Sequence, residues 1–233
     1  MAADYGGAIA PDEVCITSGC NQAFAAALLA LAAPGDNVIV PVPYFFNHTM
    51  WLGMQGIEAR FIPAMGTQGA WPEAADAAPL IDGRTRAIML CSPNNPTGAI
   101  YPPQAIAALF DLAREKGIAL VIDETYKDFR EDKAPPHGLF ARRGWQETFV
   151  HLYSFSKAFS MTGYRVGSII AGRGLLADIE KILDCMTICP PHISQLAALH
   201  ALKELGWWRD EKARTMGERL SALRRAFRRP GLA

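Results

Sequence analysis

The sequence lacks a run of apolar residues long enough to cross a membrane. Its longest apolar stretch, residues 23–33, is rich in alanine and well short of the roughly 20 residues that a membrane helix needs. The first residues, MAADYGGAIAPDEV, contain neither a basic segment nor an apolar core and so do not resemble an export signal. We therefore predict a buried helix at 23–33 and no membrane partner.

The chain also lacks an excess of charge. Lys and Arg together number 23, as do Asp and Glu, so no electrostatic attraction favours nucleic acid as a partner. Cysteine is scarce as well: five scattered cysteines do not resemble a disulfide framework and fit a reducing compartment better. These absences predict a cytoplasmic protein whose partner is a small molecule.

What the sequence does have is a regular alternation of short aliphatic runs with helical patterns. Half of its residues are hydrophobic, which is enough for a sizeable core. The alternation predicts an α/β fold in which a mostly parallel sheet is flanked by helices on both faces, in three layers. The predicted strands are VCIT (14–17), NVIVPV (37–42), EARFI (58–62), RAIML (86–90), IALVID (118–123), FVHLYS (149–154) and RVGSIIA (165–171), and the clearest helical patterns cover 22–32 and 104–116.

From Leu175 onward the pattern becomes helical only. The segment Trp207–Arg229 is long and charged, and its apolar residues are spaced for one buried stripe. No internal repeat or flexible linker interrupts the chain. We therefore predict one main domain over residues 1–205 and a connecting helix that begins near residue 206.

Two loops that follow predicted strands carry polar groups where open α/β sheets bind ligands. In TSGCNQAF (17–24), Ser18 and Gly19 precede a helix and could form an anion site, although an ordinary capped helix has the same pattern. In SPNNPTGAI (92–100), a rigid turn either presents the amide of Asn95 or is a plain turn.

Two further segments carry ionisable groups. In VIDETY (121–126), Asp123 ends an apolar strand, where a carboxylate needs a cation or hydrogen-bond donors, and Tyr126 follows within one turn. In LYSFSKAFSMTGYRVG (152–167), serines flank Lys157 and Arg165 follows, so an amine nucleophile adjoins phosphate-binding groups. A lone lysine is more often solvated, but an amine, a carboxylate, a phenol, an amide and an anion pocket together suit pyridoxal phosphate, and we expect a buried ε-amine.

The segments NNPTG, VIDETY and SFSKAFSMTGYRVG resemble, in order and separation, the signature segments of class I/II aminotransferases. These are fold type I pyridoxal-phosphate enzymes, and the resemblance covers essentially the whole chain. It implies the large domain of that fold, pyridoxal 5′-phosphate as cofactor, and transfer of an amino group between an amino acid and a 2-oxo acid in amino acid metabolism. It also implies a homodimer.

The resemblance assigns a catalytic role to three residues. Lys157 resembles the lysine that forms a Schiff base with the cofactor aldehyde and then moves the proton between the substrate Cα and C4′. Asp123 resembles the partner of the pyridine nitrogen, whose charge keeps the ring an electron acceptor. Tyr126 resembles the phenol that, with Asn95, bonds the ring oxygen O3′.

Other residues match the family's cofactor contacts. The phosphate-binding set comprises Ser18, Gly19, Cys20, Ser154, Ser156 and Arg165, with the arginine expected to be strongest because a guanidinium can meet a phosphate bidentately. Phe45 aligns with the aromatic residue that stacks on the ring, and Tyr44 is its rival. His48 either resembles a histidine near the pyridine-bonding aspartate of some members or is an ordinary core or surface histidine.

Two patterns are set aside as sites. Cys185, Cys189 and His192 lack a fourth partner, so we do not expect them to bind zinc. Lys127 adjoins Tyr126, but alternation along the chain directs it elsewhere, and we predict a solvated side chain.

The resemblance does not extend to two parts of the family's structure. Members have an earlier segment that closes over the substrate and a small C-terminal domain whose arginine binds the substrate carboxylate, and Arg214, Arg219 and Arg224 do not match that arginine. We expect either a fragment of a longer enzyme or a complete chain that is inactive as a transaminase. Alone, it should bind the cofactor weakly and turn over poorly, because substrate positioning is a major part of catalysis.

Two alternative functions share the same predicted site. A carbon–sulfur β-lyase would use the same cofactor contacts, and the residues named here do not exclude it. A non-catalytic binding or regulatory module is the third alternative, although nothing basic in the chain supports one that binds DNA.

Overall fold

The computed structural model describes residues 2–64, 70–132 and 134–228, and seven strands in it form one sheet. In space the strands follow the order β1-β7-β6-β5-β4-β2-β3, with β7 antiparallel to both neighbours and the other pairs parallel. The predicted, mostly parallel sheet is thus confirmed. The strands are β1 (Val14–Thr17), β2 (Asn37–Val42), β3 (Glu58–Pro63), β4 (Thr85–Cys91), β5 (Ala119–Asp123), β6 (Phe149–Ser154) and β7 (Gly167–Ile170).

Helices cover both faces of this sheet. Pro103 opens the helix α5, where its missing N–H is harmless, and Gly117 ends it in the left-handed conformation. The helices are α1 (Ala2–Tyr5), α2 (Cys20–Leu31), α3 (Phe46–Met54), α4 (Ala74–Ala77), α5 (Pro103–Lys116), α6 (Arg173–Met186), α7 (His192–Glu204) and α8 (Gly206–Phe227). The alanine-rich stretch is the buried helix α2, as predicted.

The core lies on both sides of the central strands. On one face, Val121 and Val150 pack with α2 and α6. On the other face, Leu120 and Ile122 pack with α5 and with a cluster of aromatic residues that includes Phe140. Every residue of β5 is buried, which is why this strand reads as a continuous apolar run rather than an alternating one.

Two features depart from the predicted pattern. The last strand begins at Gly167 rather than at residue 165, because Arg165 has a φ of 52° and cannot continue a strand. The buried stripe predicted for the final helix is wrong, because α8 leaves the sheet layers and contacts α7 and the turn at 127–129. None of its described residues is buried, and Trp207 is exposed. Arg229, the predicted helix end, lies outside the described residues.

The parallel strands bring the carboxyl ends of β4, β5 and β6 together. Cys91 is paired in register with Asp123, and Asp123 with Leu152, so the loops after these strands meet at one edge of the sheet. Across the described part of the chain, the helices are too short or too polar to span a bilayer.

Candidate active site

A cavity of about 210 Å³ lies at this edge of the sheet. It gathers most of the residues that the sequence had singled out, although they are up to 145 positions apart (165 minus 20). A larger cavity of about 960 Å³ adjoins it and shares Asn95, Tyr126 and Lys157. The smaller cavity is lined by Cys20, Asn21, Phe45, Cys91, Asn95, Asp123, Thr125, Tyr126, Ser154, Ser156, Lys157, Thr162 and Arg165.

Asp123 is the buried acid of the cavity. His48 Nε2 lies 3.5 Å from its Oδ2, and the backbone N–H of Thr125 donates to its Oδ1 at 3.0 Å. Burial raises the pKa of Asp123, but His48 and Thr125 lower it by more, so the carboxyl titrates below its usual range. The carboxylate is therefore charged at neutral pH. His48 is itself buried and packs on Phe24. It lies beside Asp123, as the resemblance implies.

Lys157 lies in the turn that follows β6. Its Nζ is 6.0 Å from the centre of the Tyr126 ring, and the residue is exposed to solvent. The expectation of a buried ε-amine is thus wrong. The turn carries the lysine to the mouth of the cavity, while its neighbours Ser156 and Ala158 face inward and are buried.

Tyr126 and Asn95 stand side by side on the cavity wall. Burial raises the pKa of Tyr126, and nearby Asp123 adds to the rise, while a hydrogen bond from the Asn95 side chain opposes it. The phenol therefore remains protonated at neutral pH and can donate a hydrogen bond. Together they offer an O–H and an amide to a ligand oxygen.

Arg165 forms the anion-binding end of the cavity. Its Nη1 donates to Ser156 Oγ at 3.3 Å and to the Thr162 carbonyl at 3.0 Å, and its Nη2 lies 3.5 Å from the Ser18 carbonyl. The left-handed φ of 52° is unusual for an arginine, and such strain is often found at functional sites. Ser154 adds a hydroxyl that accepts the N–H of Ser156 at 3.2 Å.

Gly19 makes room for that arginine. Its φ is 83°, and a Cβ added to it would lie 2.2 Å from Arg165 Nη2. Ser18 and Gly19 therefore contact the guanidinium instead of lining the cavity. The helix α2 begins at the next residue, Cys20, so its first backbone N–H groups have no acceptor within the helix and can serve an anion.

The structure distinguishes between the two aromatic candidates. Phe45 lines the cavity. Tyr44 instead stacks on Phe61, with ring centres 5.4 Å apart and planes at 13°. Phe45 is thus the residue that can cover a flat ligand ring.

Sequence reasoning missed some of the lining residues. Cys91 and Thr125 could have been predicted from the sequence, since Cys91 ends the strand that pairs with β5 at Asp123 and Thr125 lies within VIDETY. Asn21 and Thr162 carried no clear signal. Gly167 lies in the segment quoted for the resemblance but had been given no role: a Cβ on it would come within 2.7 Å of the Gly19 carbonyl carbon, so β7 must have a glycine where it meets the loop before α2.

The prediction of a solvated Lys127 is wrong. The residue is 9% exposed, and its Nζ lies 3.0 Å from both Asp4 Oδ2 and Asp128 Oδ1. Burial lowers the pKa of Lys127, but the two carboxylates raise it above its usual value. The side chain points away from the cavity, as predicted, but it lies buried next to α1 instead of in water.

The set-aside cysteines are exposed. Cys185 and Cys189 are free thiols at the surface, and His192 is exposed as well. Within the described ranges, no group of three or more His, Cys, Asp or Glu side chains is placed to hold a metal ion.

Comparison with known proteins identifies the family. The model for "Aminotransferase class I and II" matches residues 2–233. The chain belongs to this family. Curated relatives include an aspartate aminotransferase of Thermotoga maritima, 32% identical over 84% of this chain and 52% of its own length. Another is a valine–pyruvate aminotransferase of Mycobacterium tuberculosis, 33% identical over 86% and 52%.

Solved structures agree with this assignment. The crystal structure of a Thermotoga maritima aspartate aminotransferase matches with a TM-score of 0.90 and 29% identity, covering 99% of this chain and 60% of that one. The N-succinyldiaminopimelate aminotransferase of Mycobacterium tuberculosis matches with a TM-score of 0.89 and 25% identity, over 97% and 59%. The chain thus spans about half the length of the curated relatives it matches.

Class I and II aminotransferases use pyridoxal 5′-phosphate, and the residues present fit this cofactor. The cavity has an amine at its mouth, Lys157, and a buried carboxylate, Asp123. It also has a guanidinium, that of Arg165, which lies against Gly19, where any side chain would clash with it. The amine thus matches the cofactor's aldehyde, the carboxylate its basic ring nitrogen, and the guanidinium its phosphate.

Proposed function

We propose that this chain binds pyridoxal 5′-phosphate in the cavity and that the protein transfers an amino group between an amino acid and a 2-oxo acid. One observation carries the proposal. Asp123, at the end of β5, and Lys157 and Arg165, in the connection between β6 and β7, line the same cavity. When bound, the cofactor supplies an aldehyde that receives the amino group and a ring that accepts electrons.

Lys157 would hold the aldehyde and, once displaced by the substrate amine, move the proton at the substrate Cα. Its exposure suits this role, because an amine at the mouth can reach an incoming amino acid. The adjoining cavity of about 960 Å³ shares Lys157, Tyr126 and Asn95, so a substrate lying there would be next to all three groups.

The other contacts would hold the cofactor. Asp123, kept ionised by His48, would bond the protonated pyridine nitrogen, and Tyr126 and Asn95 would bond the ring oxygen. Phe45 would cover the ring face. The phosphate would be held by Arg165 with Cys20, Ser154 and Ser156, while Ser18 and Gly19 would act by contacting the guanidinium.

The substrate is proposed only as a class. Relatives are named for aspartate, for valine and pyruvate, and for arginine and pyruvate, so the shared chemistry is an α-amino acid and a 2-oxo acid. We also propose residues 1–205 as the cofactor-binding domain, with α8 beginning the connection to a further domain. A cytoplasmic homodimer is part of the proposal, supported by the family resemblance and by five free cysteines.

The test is a product assay. The chain is supplied with pyridoxal 5′-phosphate, a panel of amino acids and 2-oxoglutarate or pyruvate, and the new amino and oxo acids are identified by mass spectrometry. Lys157→Ala serves as the matched control and should lower any rate at least ~100-fold. Release of ammonia and pyruvate from a β-thio amino acid would indicate a lyase instead. Absence of any product from both this chain and a version extended to the length of its relatives would contradict the proposal.

A further inference from the structure

The segment Asp123–Asp128, here called the 123–128 turn, has two faces with different surroundings. Asp123, Thr125 and Tyr126 line the cavity. The other residues, Glu124, Lys127 and Asp128, point away from it into the protein, and the proposed function gives them no task. These three are held by two clusters of polar groups, most of which are buried.

The first cluster surrounds Glu124, which is 1% exposed. His137 Nε2 lies 3.2 Å and His151 Nε2 3.0 Å from its Oε2. The Tyr5 hydroxyl donates to the same oxygen. One carboxylate oxygen thus accepts from a residue of α1, a residue of β6 and a residue of the 134–138 loop.

Both histidines of this cluster can donate from Nε2. His137 Nδ1 accepts the backbone N–H of Leu139 at 3.2 Å, so its proton is on Nε2. His151 Nδ1 is buried and has no partner among the described residues, which also favours the proton on Nε2, since an unpaired acceptor costs less than an unpaired N–H. Oε2 of Glu124 is therefore the acceptor on which three buried donors converge.

The second cluster surrounds Lys127. Its Nζ lies 3.0 Å from Asp128 Oδ1 and from Asp4 Oδ2, which belongs to α1. The Tyr153 hydroxyl of β6 donates to Asp128 Oδ2 at 2.6 Å, and Arg209 Nη1 of α8 lies 3.8 Å from Asp128 Oδ1. This cluster therefore joins the 123–128 turn to three separate elements.

We propose that Tyr5, Glu124 and Lys127 are positioning residues: through the two clusters they fix the 123–128 turn so that Asp123 and Tyr126 keep their places in the cavity, and they link those places to α1 and α8. The inference rests on the proposed function, because it concerns how cofactor contacts are held. The linkage is physical, since buried polar groups tolerate little displacement from their partners.

The main test uses Tyr5→Phe, which removes one hydroxyl while keeping the ring that packs edge-on against Phe140. A second variant, Lys127→Met, removes the central charge, and Lys127→Arg should partly restore it. The control is Arg142→Met, which breaks the ion pair with Asp111 on the surface of α5, away from the cavity.

The expected result separates positioning from stability. Tyr5→Phe and Lys127→Met should raise the dissociation constant of pyridoxal 5′-phosphate about 3- to 30-fold, measured well below their unfolding temperatures, and shift the absorbance of the bound cofactor. Arg142→Met should lower the unfolding temperature without either effect. If Tyr5→Phe and Lys127→Met lower only the unfolding temperature, the clusters are merely structural and the proposal is overturned.

A measurement without cofactor keeps this proposal separate from the function. Amide hydrogen exchange of the cofactor-free chain should show faster exchange across 123–128 in Tyr5→Phe than in the wild type, with Arg142→Met unchanged. If the wild type binds no pyridoxal 5′-phosphate, the proposed function fails while the exchange data still decide this inference. Unchanged exchange across the turn would overturn it.

Discussion

The two faces of the 123–128 turn differ in how their ionisable end residues, Tyr126 and Lys127, meet their surroundings. On the cavity face, Tyr126 is partly exposed and opposes the exposed amine of Lys157. On the far face, Glu124 and Lys127 are buried and each has several charged or hydrogen-bonding partners. Groups that must serve a ligand are kept available on one face, while groups that hold the turn have their hydrogen bonds satisfied within the protein on the other.

Asp123 lies on the cavity face but is as buried as Glu124 and Lys127 on the far face. Removing its charge should therefore have the largest effect on cofactor binding. Asp123→Asn should weaken binding of pyridoxal 5′-phosphate about 100-fold, because a charged partner of the ring nitrogen is replaced by a neutral amide. Equilibrium dialysis measures the dissociation constant. An affinity like that of the wild type would mean that Asp123 does not bond the cofactor.

Glu124 tests the opposite face. Glu124→Gln should reduce the free energy of unfolding by about 3 kcal/mol, because an amide NH₂ replaces an acceptor where three donors converge. Burial raises the pKa of Glu124, but the electrostatic attraction and the hydrogen bonds of His137 and His151 lower it by more, to below its usual 4.5. The stability that the ionised Glu124 carboxylate contributes to the fold should therefore be fully present above pH 4.5 and be lost as the pH falls below that value.

Urea unfolding at several pH values measures both effects. Wild-type stability should fall between neutral pH and acidic pH more steeply than that of Glu124→Gln. Parallel curves for the two proteins would show that Glu124 does not contribute the acid-sensitive part.

The aromatic pair offers a smaller, matched comparison. Phe45→Leu should weaken cofactor binding about 2- to 10-fold through loss of ring stacking. Tyr44→Leu should leave the affinity unchanged and lower only stability, since that ring stacks on Phe61. Fluorescence titration of both variants checks the contrast, and the reverse result would restore Tyr44 as the stacking residue.

The smallest effect is expected at an exposed ion pair. Lys181 Nζ lies 2.8 Å from Asp178 Oδ1, and both side chains are more than half exposed. Lys181→Ala should change the unfolding temperature by no more than about 2 °C and leave cofactor binding as in the wild type. A larger change, measured by calorimetry, would mean that exposed ion pairs stabilise this protein as strongly as the buried contacts of Glu124 and Lys127, and would contradict the comparison.

Much of the fold could be predicted because its signals are local. Strands β1, β2 and β6 begin and end where their apolar runs do, and α2 is buried as its composition predicts. The antiparallel direction of β7 could not be read from the sequence, because strand direction depends on long-range pairing and not on composition. The exposure of α8 was missed for a related reason: an apolar stripe shows that a partner surface is needed, but not whether the described chain supplies it.

The site was predictable to the extent that its residues follow strands. Asp123, Asn95 and Lys157 come after apolar runs, and parallel strands bring such positions to one edge. Burial was harder: Lys157 was expected to be buried and is exposed, whereas Lys127 was expected in solvent and is buried. Both errors arise in tight turns, where a difference of one position reverses the direction of a side chain, and where the partners, such as Asp4, are distant in sequence.

The central claim is that the Lys157 amine holds the cofactor aldehyde, and reductive trapping tests it most directly. The chain is incubated with pyridoxal 5′-phosphate, reduced with borohydride, digested and analysed by mass spectrometry, with Lys157→Arg treated in parallel. We predict one modified lysine, Lys157, and no modification at a comparable level in the variant. Labelling spread over surface lysines, or equal labelling of the variant, would contradict the account.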